Sequence, residues 1–175
     1  MNTPNNKRRR ESRKRIEDVF IQSLQTKELH EIRVTDICIA AGVNRTTFYA
    51  NYVDIFALAE AVLERLKEEV LSLYQEEWAK KSSSHDFLKL FYHIKENPLM
   101  YRTYFKLNRG GGFRFIGYDL SDAMIRFDNR HIEYHIEFFG HGLNGIIRKW
   151  LDNDCRESPE EIVSIIMDEY KGLSL

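Results

Sequence analysis

Arg45, Thr46 and Thr47 follow Asn44 at a point where a short helix can begin. Their chemistry suits a surface that reads a polyanion. The arginine fork matches the O6 and N7 acceptors of guanine, and a threonine methyl packs on thymine. Threonine hydroxyls bond a base or a phosphate, and the hydroxyls of Tyr49 and Tyr52, close behind, can go to phosphates. Thr35 falls at the start of an earlier helix, whose N-terminal amides form an anion site. Upstream, residues 7–15 carry Lys7, Arg8, Arg9, Arg10, Arg13, Lys14 and Arg15 against the single acid Glu11. That run suits an arm lying along phosphates or in a flanking minor groove. Two plainer readings stand beside these. Arg45 as a solvated surface charge is one, and a disordered solubilising tail at residues 7–15 is the other.

The elements that must position these groups are helical. Ile16, Val19, Phe20 and Leu24 form the apolar stripe of a first helix, from about Arg9 to Gln25. A second helix fits Thr35 to Ala41, with Asp36 favouring its positive end and Gly42 as its stop. Asn44 can cap a third, Arg45 to Asn51. Two short helices about a glycine turn spell a helix-turn-helix. Phe48 at this periodicity reads as core. A long helix then runs from about Asp54 to Trp78, with Ile55, Leu58, Ala59, Val62, Leu66, Val70 and Leu73 on one face. Further helices fit Asp86 to Glu96, Pro98 to Leu107, Tyr118 to Arg130 and Tyr134 to Asp152. Lys80 to Ser84 and Gly110 to Gly112 read as loops. Ser158-Pro159-Glu160-Glu161 sets a cap, an N1 proline and a capping-box glutamate before a last helix to about Tyr170. The fold expected is all-α.

The chain has 175 residues, enough for a real core. Its net charge of −1 conceals an asymmetry. Residues 1–52 hold 10 Lys/Arg and 6 Asp/Glu, whereas residues 53–175 hold 16 and 21. A basic head on an acidic body favours a polyanion-binding end. No apolar run approaches the roughly 18 to 20 residues of a membrane span, so no membrane partner is expected. Cys38 and Cys155 form neither a disulfide framework nor a metal pattern, and a reducing cytoplasm is the simplest location.

Enzyme signatures are missing. There is no G-x-S-x-G, no P-loop and no G-x-G-x-x-G. His131 and His135 stand one helical turn apart, with His141 beyond, but no further ligand lies at a persuasive spacing. No metal, no cofactor and no catalysis are expected. Aromatic residues crowd the middle: Tyr74, Trp78, Phe87, Phe91, Tyr92, Tyr101, Tyr104, Phe105, Phe113, Phe115 and Tyr118. They either line a pocket for an apolar or planar ligand or simply fill the core.

The stretch VTDICIAAGVNRTTFYANYVDIFAL resembles the DNA-binding domain of tetracycline-repressor (TetR) family transcriptional regulators. Val34, Thr35, Asp36, Ile37, Ala41, Gly42, Val43, Asn44, Thr47, Phe48, Tyr49 and Tyr52 carry the likeness. The stretch FFGHGLNGIIRKWLDNDCRESPEEI looks like the last two helices of one subgroup. The chain departs from the pattern at Asn51, where many members have histidine, and at Ile55, where many have lysine. Both positions often touch phosphates in the family.

The resemblance implies a three-helix helix-turn-helix DNA-binding domain at 9–53, continuing into a linking helix to about 70. An antiparallel helical ligand-sensing and dimerisation domain would fill 54–175. The third helix would enter the major groove. Double-stranded DNA with a palindromic operator would be contacted by Thr35, Arg45, Thr46, Thr47, Tyr49, Asn51, Tyr52, Arg8, Arg9 and Arg10. A small-molecule effector would sit near Phe91, Tyr101, Tyr104 and Phe105, although a protein partner could take its place. Family members pair through their last two helices. Gly142, Gly145, Ile146, Trp150, Ile162 and Ile166 are the expected homodimer contacts here, against the alternative that they fill an intramolecular core. The function implied is a repressor that leaves its operator on binding the effector.

Overall fold

The computed structural model describes residues 4–73, 87–108 and 131–172. Among these the regular elements are helices: α1 (Pro4–Leu24), α2 (Val34–Ala41), α3 (Arg45–Tyr49), α4 (Ile55–Ser72), α5 (Phe87–Glu96), α6 (Pro98–Leu107), α7 (Ile132–Asp152) and α8 (Pro159–Gly172), with a 3-10 turn at Leu29–Glu31. The all-α expectation holds. The helix expected at Tyr118 to Arg130, both loops, and Tyr74, Trp78, Phe113, Phe115 and Tyr118 lie outside the described residues. The chain divides into two compact units, residues 1–67 and 68–175.

In the first unit, α1 packs on α2 and α3. Ile16, Phe20 and Leu24 bury their side chains completely, as do Ile37 of α2 and Phe48 of α3. Local chemistry sets the helix ends. Gly42 adopts the left-handed φ of 61°, and the N–H of Val43 donates back to the Cys38 carbonyl at 3.0 Å. This closes α2 in the manner that glycine permits at no steric cost. A Cβ on Gly42 would lie 3.6 Å from Arg15 Nη1, an ordinary contact, so its backbone angle rather than lack of space calls for glycine. Asn44 caps α3 through Oδ1, which accepts from Thr47 N–H at 2.7 Å. Asp54 Oδ1 accepts from Ala57 N–H at 2.8 Å at the start of α4.

In the second unit α5 packs on α6 and α8, and α6 on α7. Leu90, Phe91 and Ile94 meet a core that includes Tyr101, Leu143, Ile147 and Trp150. Only Asn97 separates α5 from α6, and Pro98 sits in the first turn of α6. Arg102 reaches the C-terminal end of α7, donating from Nη2 to the Leu151 carbonyl and to Asp154 Oδ1, each at 2.6 Å. The expected capping box of α8 is present. Glu161 N–H donates to Ser158 Oγ at 3.1 Å, and Ser158 N–H donates to Glu161 Oε2 at 2.6 Å.

Three of the expected dimer contacts are corrected here. Trp150, Ile162 and Ile166 are buried within the subunit itself. Trp150 meets the ring of Phe91 edge-on at 5.5 Å, and its Nε1–H donates to the Glu157 carbonyl at 3.3 Å. The intramolecular-core alternative holds for these three, which pack within the second unit. Gly142 and Gly145 are exposed and Ile146 is half-buried.

Candidate nucleic-acid interface

The outward surface of α3 begins with Arg45 and Thr46, both exposed, and continues to Tyr49, whose ring is half exposed and lies edge-on to Phe48 at 5.5 Å. Thr47 is half-buried under the cap bond. Thr35 is exposed in the first turn of α2. Phe48, fully buried, anchors the helix from behind. A five-residue helix makes almost no stability of its own. Its direction therefore depends on the Asn44 cap, the Phe48 anchor and the groups gripping its far end.

Arg9 and Asn51 supply one such grip. Arg9 donates from Nε to Asn51 Oδ1 and from Nη2 to the Ala50 carbonyl, each at 3.3 Å. Asn51 Nδ2 donates to the Thr47 carbonyl at 2.8 Å. A cation at the carbonyl end of a helix is favourable. This corrects the expected arm. Arg8, Arg9 and Arg10 are exposed, but they belong to the first turns of α1, which begins at Pro4 rather than near Arg9. Proline is tolerated in a first turn, and no glycine interrupts the residues that follow.

Tyr52 is also corrected. Its side chain is buried, and its hydroxyl donates to Glu17 Oε1 at 2.7 Å, so it is not presented to phosphates. Burial first, and then the bond to Glu17, push this phenol far above its usual range. Glu17 itself is only 4% exposed. Arg13 Nε donates to the same Oε1 at 2.8 Å, while Arg65 Nε pairs with Oε2 at 2.9 Å. The bond to Glu17 holds the Arg13 guanidinium above its ordinary value. Sequence reasoning passed over this cluster. The signal was present, because Glu17 keeps helical spacing with Phe20, Ile21 and Leu24, which places an acid on the apolar stripe.

Phe91, Tyr101, Tyr104 and Phe105, read as pocket residues, are all buried. The Tyr101 hydroxyl lies 2.7 Å from His93 Nδ1, and Asn108 Nδ2 donates to the Tyr104 hydroxyl at 2.9 Å. Phe105 lies 4.8 Å from the Arg148 guanidinium. Burial holds the His93 pKa below its ordinary value, against the opposing charges of Glu69 and Glu96. Among the described residues, no group of three or more His, Cys, Asp or Glu could hold a metal ion, and no helix is long and apolar enough to cross a membrane.

A family model of the TetR group, described as a transcriptional regulator C-terminal region, matches residues 81–169, just over half of the chain. The chain belongs to the TetR family of transcriptional regulators. A comparison with curated proteins finds no match. The family match covers α5 to most of α8, whereas α1 to α4 precede it. In this TetR-family regulator Ile55 is buried at the start of α4. Asp54 Oδ1 caps the backbone there.

Proposed function

We propose that this regulator is a homodimeric repressor that binds a palindromic operator through α3 and leaves it when a small molecule binds the second unit. Residues 9–53, with α4 to about residue 70, form the DNA-reading domain, and 54–175 form the sensing and dimerisation domain. The observation that carries the reading is the outward face of α3. Arg45, Thr46 and Tyr49 project from a helix fixed at its start by Asn44, at its centre by Phe48 and at its end by Arg9. Arg45 reads a guanine edge, while Thr35, Thr47 and Tyr49 engage phosphates together with the exposed basic turns of α1. No catalytic step is assigned, and the protein acts in the cytoplasm.

The exposed face of α7 supports the dimer. Tyr134 and Phe138, one helical turn apart, are 69% and 65% exposed. Added Cβ atoms on Gly142 and Gly145 would meet nothing within 4 Å, so the ridge is open to a close approach by another helix. Ile165 and Met167 give α8 exposed apolar groups as well. A second copy covering these groups would set two reading helices at a fixed spacing. The effector would lodge among Phe91, Tyr101, Tyr104 and Phe105, with the polar pairs at Tyr101 and Tyr104 orienting it. Selection from a random-sequence duplex library tests the reading. An inverted repeat with half-sites about 34–36 Å apart, or a multiple, is expected. Recovery of no enriched sequence would reject it.

A further inference from the structure

We infer that Glu17 is a positioning residue for base reading, the joint through which α4 fixes the setting of α3; this rests on the DNA-reading role proposed above. Its two oxygens face two ways. Oε2 pairs with Arg65 on α4 at 2.9 Å, and Oε1 accepts the Tyr52 hydroxyl at 2.7 Å. Tyr52 is itself tied to α3, because its N–H donates to the Phe48 carbonyl at 2.9 Å and its ring centroid lies 5.7 Å from that of Phe48. Arg13 steadies the carboxylate from its own helix at 2.8 Å. One buried acid thus links α4, α1 and the residue that follows the reading helix. A buried ion pair gives no stability that a well-packed apolar group could not match, but it does define a geometry. Base reading needs that definition, since reading side chains must be held to within about 0.5 Å. A displacement of α4 would reach α3 through this carboxylate.

The test uses the full chain and two probes: the strongest duplex recovered from the random library, and a mixed-sequence duplex of equal length. Tyr52→Phe removes one hydroxyl and keeps the ring against Phe48. It should weaken binding to the selected duplex about tenfold, the scale of one hydrogen bond to a charged group. Affinity for the mixed-sequence duplex and the salt slope should not change, since no phosphate contact is lost. Glu17→Gln keeps an acceptor for Tyr52 but loses the ion pair, so a smaller selective loss is expected. Arg65→Gln should weaken selective binding in the native background and add nothing in the Glu17→Gln background. Equal losses on both probes, whether from a destabilised head or from a lost phosphate contact, would overturn the inference. So would unchanged selectivity in Tyr52→Phe, or additive effects of Arg65→Gln and Glu17→Gln. Should Glu17→Gln fail to fold, Tyr52→Phe still decides the matter. Failure of the native chain to enrich any duplex would instead reject the DNA-reading proposal itself.

Discussion

The first unit exposes a run of basic residues and buries a carboxylate, whereas among the described residues the second unit buries Phe91, Tyr101, Tyr104, Phe105 and Trp150 and exposes Tyr134 and Phe138 on α7. On α1 and α3 the outward groups include Arg8, Arg9, Arg10, Arg45, Thr46 and Tyr49. Such a surface is well solvated alone and gains from a polyanion by releasing its counterions. On α7 the outward groups include Tyr134 and Phe138. A surface of that kind gains little from water and much from being covered. The two surfaces therefore suit the two partners proposed above: nucleic acid for the head and a second copy for α7.

The largest expected effect comes from placing charge on the apolar face. Gly145→Glu meets open space in the subunit, so its fold should survive. In the proposed dimer the new carboxylate would be buried near its own copy, an arrangement with a heavy desolvation penalty. Sedimentation should show monomers with native helicity, and operator affinity should fall about 10³-fold towards the nonspecific level. A dimeric variant with normal operator binding would place the interface elsewhere.

Arg45→Ala should cost about 1–3 kcal/mol on the operator and relax preference at one position per half-site. Unchanged preference in competition against single-base variants would remove α3 from base reading. Deleting residues 1–10 should have a smaller and less selective effect. Affinity should fall on all sequences, with a flatter dependence on salt as phosphate contacts disappear. Because Arg9 also grips Ala50 and Asn51, some selectivity should be lost with it. An unchanged salt slope would show that the basic turns of α1 do not touch the backbone.

The smallest effect separates the second unit from the first by pH. Burial lowers the His93 pKa in the folded chain, while the unfolded value is near 6.5. As pH falls below that value the unfolded chain takes up a proton that the folded chain resists, so stability declines on the acid side. His93→Gln should lessen the loss of urea midpoint between pH 7.5 and 5.5. An equal decline in both proteins would assign the acid sensitivity to other groups.

What could be read from the sequence was what neighbouring residues decide. The Asn44 cap, the Gly42 stop, the Asn97-Pro98 corner and the Ser158 capping box follow from short-range hydrogen bonding and allowed backbone angles, and each is found where expected. Phe48 was legible because helical phase turns it inward. Tyr52 was misread because a partner 35 positions away, Glu17, takes its hydroxyl. Trp150 was misread for a similar reason, since Phe91 on a distant helix covers it. Glu17 could have been noticed as an acid in phase with Phe20 and Leu24, but its partners Tyr52 and Arg65 become neighbours only once the chain has folded. The start of α1 was set too late, because a charged segment without an apolar stripe carries no periodic signal.

In the proposed complex two reading heads held by one dimer engage one duplex. Sedimentation equilibrium of the protein with its selected duplex measures this most directly. A complex of two chains per duplex is expected, with free protein also dimeric, and no stable complex of one chain at comparable affinity. One chain per duplex, bound as tightly as the native complex, would contradict it.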